Sequence, residues 1–159
     1  MSYNSKEDTS EHIKVVQSKI NTIIEELAKR AESHDKSKLE DPEKEVFDVM
    51  TPLLAGSTYG TDEYRQMLAG MKPALDHHYA NNRHHPEHFE EEMYATFRAS
   101  MLNCMNLIDI IEMFCDWKAA TLRHNNGDIN KSIEINKKRF NIDIQLESIF
   151  KNTVKYLNW

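Results

Sequence analysis

A chain of 159 residues that is 40% hydrophobic and 29% charged suits one domain burying roughly two-thirds of the surface its unfolded form exposes. Its formal charge of −6, with lysine and arginine mixed among the acids, leaves no basic stripe of the kind that neutralises a phosphate backbone, so long nucleic acid is not an expected partner. The N-terminus is polar and no apolar run approaches the roughly 18 residues of a membrane span. The expectation is a soluble, cytoplasmic protein with no membrane partner; a homo-oligomer is compatible with this composition.

Four glycines, four prolines and few β-branched runs leave little material for hairpins, while apolar residues recur at spacings of three and four. An all-α, single-domain helical bundle over residues 1–159 is expected, with residues 1–8 as a flexible N-terminus. The first helix is predicted over about 9–31, capped by Thr9 or Ser10, with Val16, Ile20, Ile23 and Leu27 as its inward stripe and His12 one turn before Val16. Asp41-Pro42-Glu43 reads as N-cap, first-turn proline and favourable acid, opening a helix to about Leu54. A loop follows over residues 56–60. Thr61-Asp62-Glu63 opens another helix, and Pro73 kinks it or starts a new one carrying His77 and His78 to about Asn82. Pro86 pushes His85 towards extended backbone, which places His84 and His85 at a helix end or in a loop.

Residues 90–122 carry a helical pattern, and residues 101–117 are apolar on nearly every side, as in a central buried helix. Cys104 and Cys115 then lie about 16 Å apart along it, too far to bridge, and reduced thiols suit a cytosolic compartment. Asn125-Asn126-Gly127-Asp128 marks a turn before a short helix to about Phe140. Asn141 caps a last helix in which Ile144, Ile149, Val154 and Leu157 supply apolar contacts.

Five of the eight histidines fall within residues 77–88, as His77, His78, His84, His85 and His88. Imidazole binds metals through a neutral nitrogen and titrates near neutral pH, so such a group beside carboxylates suits a cation; a solvated His-rich loop is the plain alternative. In residues 101–117 the only charges are Asp109, Glu112 and Asp116, spaced by three and four on one helical face that Leu102 and Met105 continue. Buried like charges need a cation or a proton nearby, or lysine and arginine from neighbouring elements.

His34-Asp35 follows the first helix, where an imidazole and a carboxylate can turn to one ion. Lys36 and Lys38 flank Ser37 just after it, and an ammonium beside a metal suits a phosphate. Arg83 and Arg123 can serve similarly.

In chain order, His12, His34-Asp35, the histidine cluster and Asp116 resemble the H…HD…H…H…D series of the HD-domain superfamily of metal-dependent phosphohydrolases. His34-Asp35-Lys36-Ser37-Lys38 looks like the HD-x-x-K form of its HD-GYP branch, which implies that Lys38 approaches substrate phosphate. No Gly-Tyr-Pro follows, and Tyr79 stands where that branch has a glutamate, so cyclic di-GMP specificity does not carry over. A resemblance spanning most of the chain rests on His34-Asp35-x-Ser37-Lys38, on His77-His78-x-x-x-Asn82-x-His84-His85-Pro86-Glu87-His88 and on Glu112-Met113-x-x-Asp116-Trp117. These are similar to an uncharacterised HD-like family common in bacteria and bacteriophages.

The resemblance implies His34, Asp35 and Asp116 as metal ligands with His12 as the fourth, and His77, His78 and His84 as donors to a second ion bridged by Asp35. One or two divalent ions are expected, among Mn, Fe, Co, Mg and Zn, because the donors are imidazole and carboxylate without thiolate. Asp35, Lys38 and Glu112 are the expected catalytic residues, with Lys38, Arg83, His85 and His88 as contacts to a small phosphorylated substrate, best a nucleotide. Hydrolysis of an ester or anhydride follows from two ions holding attacking and leaving oxygens. An HD-like di-iron oxygenase and a non-catalytic module that binds a nucleotide or a protein are the competing readings.

Overall fold

Every regular element among the described residues of the computed structural model (5–57, 61–123 and 127–159) is helical, and no strand occurs among them. The all-α class expected from the spacing of apolar residues is therefore the fold class of the chain. No helix among these residues is long and apolar enough to cross a membrane.

By its contacts the chain divides at the peptide bond between His34 and Asp35 into two compact units. The first is a single helix, α1 (Lys6–Ser33). It starts earlier than predicted, with Ser5 rather than Thr9 or Ser10 at the N-cap position and Glu7 and Asp8 in the first turn, where acids complement the helix dipole. Residues 6–8 of the expected flexible segment are thus helical, and residues 1–4 lie outside the described ones. None of α1 is buried. Of the stripe expected to face inward, Val16, Ile20 and Ile23 are 41%, 52% and 40% exposed and Leu27 is half-buried; a lone helix has no second element in its own unit to cover it.

The second unit contains every buried residue among those described, Glu43 being the first. A 3-10 turn (Lys36–Leu39) leads to α2 (Glu43–Ala55), which begins one residue later than Asp41 capping implied, with Pro42 at the N-cap position. Gly56 closes α2, and residues 58–60 of the expected loop lie outside the described ones. Thr61 caps α3 (Asp62–Gly70) by accepting from the Tyr64 amide. Pro73 sits in the first turn of α4 (Lys72–Asn81), where its missing N–H costs nothing. A 3-10 turn (Pro86–Phe89) then precedes α5 (Glu90–Ala95).

The long helix expected over 90–122 is broken. After α5, Phe97 adopts left-handed backbone with φ 53°, a 3-10 turn spans Met101–Cys104, and α6 (Leu107–Thr121) begins afresh. The restart is a capping box: the Asn106 side chain accepts from the Asp109 amide while Asp109 accepts from the Asn106 amide, which satisfies two otherwise orphaned donors. Leu102 and Met105 therefore precede α6 and do not extend its acidic face. Cys104 and Cys115 are free thiols on separate elements.

Asp128 caps α7 (Ile129–Phe140); residues 125 and 126 of the predicted turn are outside the described ones. Asn141, expected as an N-cap, instead closes α7 in left-handed backbone with φ 53°. Asp143 caps α8 (Ile144–Leu157) through the Leu146 amide.

Helices α6, α7 and α8 build the apolar core from Met113, Phe114, Trp117, Ile129, Ile133, Phe140, Phe150 and Val154. Phe114 stacks on Phe150 with ring centroids 4.6 Å apart, and Trp117 meets the Phe150 edge at 5.7 Å. On α8, Val154 is buried as expected, but Ile144, Ile149 and Leu157 are exposed; Phe150 and Glu147 take the inner face instead. Helix α6 thus turns Met113, Phe114 and Trp117 into the core while carrying Asp109, Glu112 and Asp116 at other positions of the same three turns.

Candidate metal centre

Asp35 holds left-handed backbone with φ 55° and ψ 15°, a region that aspartate tolerates better than most residues. The conformation carries the chain directly into the 3-10 turn, where the Lys38 amide donates to the Asp35 carbonyl at 3.0 Å. The same turn brings the Lys38 ammonium to Oδ2 of Asp35 at 2.6 Å, beside the Phe47 ring. Oδ1 of that carboxylate faces two histidines.

Helix α4 delivers them. It ends at Asn81, and Pro86 holds His85 extended (φ −89°, ψ 124°) for the reason given by the clash of a proline ring with a preceding helical residue. The intervening turn folds His84 and His85 back over His78. Their rings lie 4.7 Å (His78–His85) and 4.2 Å (His84–His85) apart between centroids. Nε2 of His78 is 2.9 Å from Nε2 of His85 and 3.3 Å from Oδ1 of Asp35; Nε2 of His84 is 3.5 Å from the same oxygen. Asp35, His78, His84 and His85 each offer a donor atom within 4.8 Å of the others.

Helix α6 adds two of its acids. Oε1 of Glu112 is 3.2 Å from Nδ1 of the buried His84, and Asp116 offers an oxygen within 4.8 Å of one from Asp35. The third acid goes elsewhere. Asp109, fully buried, receives the Arg83 guanidinium at 3.2 and 3.0 Å while completing the capping box. Arg83, expected to contact substrate, makes this pair and lies over the Phe89 ring at 4.8 Å.

A buried carboxylate that the sequence does not flag sits behind the histidines. Glu43, wholly inaccessible, lies 2.7 Å from Nδ1 of His77 and 2.8 Å from Nδ1 of His78, and accepts from the Ser37 hydroxyl at 3.0 Å. Asn82, also buried, donates to Ser37 and to the His78 carbonyl, each at 2.8 Å.

A family model described as a family of unknown function, DUF5662, matches residues 1–158. The chain belongs to this family. No curated protein and no solved structure matches it. Since a fold hosts many chemistries, the function of this DUF5662 member has to be argued from its site.

The predicted site residues separate by position. Asp35, His78, His84, His85, Glu112 and Asp116 converge. His34, expected as a ligand, is the last residue of the first unit and is half-buried. His12 is exposed on α1. His77 turns to Glu43 and belongs to none of the donor groups among the described residues, and neither does His88, which donates to the Tyr79 carbonyl at 2.9 Å. That partner, a backbone oxygen, makes Nδ1 of His88 the donor.

Burial is the largest effect on His85 and, with the charges of His84, His78 and Lys38, pushes its pKa down to about 2 against the opposing pull of Asp35. Its ring is therefore neutral at physiological pH and keeps a lone pair for a cation. Burial alone drives the Glu43 carboxyl upwards, yet hydrogen bonds from His77, Ser37 and His78 together outweigh it and hold the group below its ordinary value. Imidazole nitrogens around carboxylate oxygen, without thiolate, form a donor set suited to Mn, Fe, Co or Zn, and with fewer nitrogens to Mg.

Proposed function

We propose that this DUF5662 protein is an HD-like, metal-dependent phosphohydrolase that binds one or two divalent ions and cleaves a small phosphorylated compound, best a nucleotide, in the cytoplasm. The observation that carries the reading is the two-sided Asp35 carboxylate: Oδ1 meets Nε2 of His78 and His84, and Oδ2 meets the Lys38 ammonium at 2.6 Å. A cluster of cation donors and a fixed cation thus share one anchoring group. That arrangement suits an anionic substrate with oxygens for both.

When bound, a divalent ion lowers the pKa of water and polarises phosphoryl oxygens. Asp35 would supply the negative charge of the donor set, and His78, His84 and His85 ring nitrogens. Asp116 brings a further carboxylate oxygen within 4.8 Å of Asp35. Lys38, with a side chain 29% exposed, reaches solvent and takes the phosphate as a point charge. Glu112 acts on His84, whose Nδ1 it faces, orienting the ring rather than touching substrate. Lys38 favours phosphate chemistry over the di-iron oxygenase reading, since oxygen activation has no use for an ammonium held at the metal-binding carboxylate.

Purified protein loaded with manganese, iron, cobalt, magnesium or zinc, and offered nucleoside mono-, di- and triphosphates and cyclic nucleotides, is expected to release product from at least one of them in a chelator-sensitive manner. Full metal occupancy with no release from any of these substrates, together with oxygen uptake by the iron form, would establish the oxygenase instead. Ligand retained stoichiometrically without turnover would identify a binding module.

Lys38→Ala is expected to weaken inorganic phosphate binding by roughly tenfold, the loss of one charge-assisted hydrogen bond worth about 1.5 kcal/mol. Metal content should be unchanged. Calorimetric titration with phosphate checks this, and equal affinity in the two proteins would remove Lys38 from the site.

A further inference from the structure

Proton accounting around His78 leaves one consistent arrangement. The Asn82 amide has two protons, and both are engaged, on Ser37 Oγ and on the His78 carbonyl, each at 2.8 Å. Its 3.0 Å approach to Nδ1 of His78 is thus a contact without a proton in it. Ser37 has one proton; accepting from Asn82, it donates to Oε2 of Glu43 at 3.0 Å. Nδ1 of His78, 2.8 Å from that same oxygen, has no donor left to receive from and faces an acceptor. It must carry the proton itself.

We propose that Glu43 is a positioning residue, whose buried carboxylate accepts the Nδ1 proton of His78 and so fixes Nε2 as the donor atom presented to Asp35 and His85. The inference rests on the metal reading and names the group that prepares one of its ligands. A carboxylate behind a ligating histidine sets the tautomer and ring angle and raises the basicity of the other nitrogen. Here the support is rigid: Glu43 is wholly buried, His78 is 1% exposed, and Phe47 packs edge-on against its ring at 5.9 Å. His77 and Ser37 also hydrogen-bond Glu43 and hold the carboxylate in place.

Two substitutions separate positioning from bulk. In Glu43→Leu the Ser37 hydroxyl loses its acceptor and lies 3.3 Å from Nδ1 of His78. Its proton turns there, Nδ1 becomes the acceptor and the ring proton moves to Nε2, blocking the ligand atom. In Glu43→Gln the amide oxygen can take the position facing His78 and Ser37, with the amide nitrogen towards the half-exposed His77, whose tautomer is free to follow.

Zinc is the probe, being diamagnetic and suited to imidazole. Imidazole ¹⁵N resonances and zinc affinity are measured on the full chain, with thermal melting as the check on folding. Wild-type His78 is expected to keep a proton on Nδ1 with and without zinc, Nε2 being the nitrogen whose resonance moves. Glu43→Leu should weaken zinc binding by about 10- to 100-fold, and Glu43→Gln by clearly less. Movement at Nδ1 on adding zinc overturns the inference, as does wild-type affinity in the leucine variant or an equal loss in both variants. Should the leucine variant not fold, the wild-type Nδ1 resonance decides alone. Failure of the wild-type protein to bind zinc, manganese or iron overturns the metal reading instead, and the proton position on metal-free His78 still tests Glu43.

Discussion

Asp35→Asn is expected to strip the protein of metal. Asparagine keeps the shape of aspartate and tolerates the left-handed backbone (φ 55°) equally well, so the substitution removes the charge and little else. Asp35 is the carboxylate in the group it forms with His78, His84 and His85. A unit charge 4 Å from another is worth about 4 kcal/mol at an effective dielectric constant of 20, and a divalent ion feels at least that. The affinity should fall by two to three decades, at about 1.4 kcal/mol each. Elemental analysis of purified protein should show background metal, any hydrolysis should vanish with it, and circular dichroism should be unchanged because Asp35 lies outside the helices and the apolar core. Metal retained at wild-type stoichiometry would show that the donors lie elsewhere.

Asp109→Ala should do the reverse, lowering stability while sparing the metal. The change leaves the Arg83 guanidinium without its bidentate partner and removes half of the capping box that starts α6. Breaking a buried pair costs 3–5 kcal/mol and losing a cap about 1. Arg83 keeps 44% of its side chain in contact with water, which places the total near the low end, about 3 kcal/mol. A urea titration should move to a lower midpoint with an unchanged slope, and the fraction still folded should bind metal normally. A variant as stable as the wild type but unable to bind phosphate would instead return Arg83 to the substrate site, as the sequence alone suggested.

These two aspartates show where the sequence was readable and where it was not. Spacing of three and four placed Asp109, Glu112 and Asp116 on one face of α6, and the acids do share that helix. It could not say that each has a different partner: Arg83 for Asp109, Nδ1 of His84 for Glu112 and the neighbourhood of Asp35 for Asp116. Those partners come from turns whose paths are set by Pro86 and by the left-handed Asp35, long-range consequences with no local period. The Asn106-x-x-Asp109 cap was legible in principle, since asparagine followed three residues later by an acid is a helix start. The apolar run on both sides of it hid the break.

Glu43 illustrates a deeper limit. As an acid in a first helical turn it has an ordinary local explanation, and nothing nearby announces that it is wholly buried against His77 and His78, 34 and 35 positions away. The adjacent histidines gave the only signal: two consecutive residues on a helix point about 100° apart, so they serve one ion poorly but can grip one carboxylate between them. His78 then enters the donor group and His77 does not. For α1 the amphipathic stripe was legible, but its burial was not, because a periodic pattern states what a face can pack against and not whether its own unit supplies it.

The most direct test of the central claim is anomalous diffraction from crystals of the protein equilibrated with manganese. A peak is expected within about 2.0–2.4 Å of Nε2 of His78, Nε2 of His84 and Oδ1 of Asp35, the range of ordinary metal–nitrogen and metal–oxygen bonds. Saturating manganese with no peak among these atoms, or a peak held by other residues, would contradict the account.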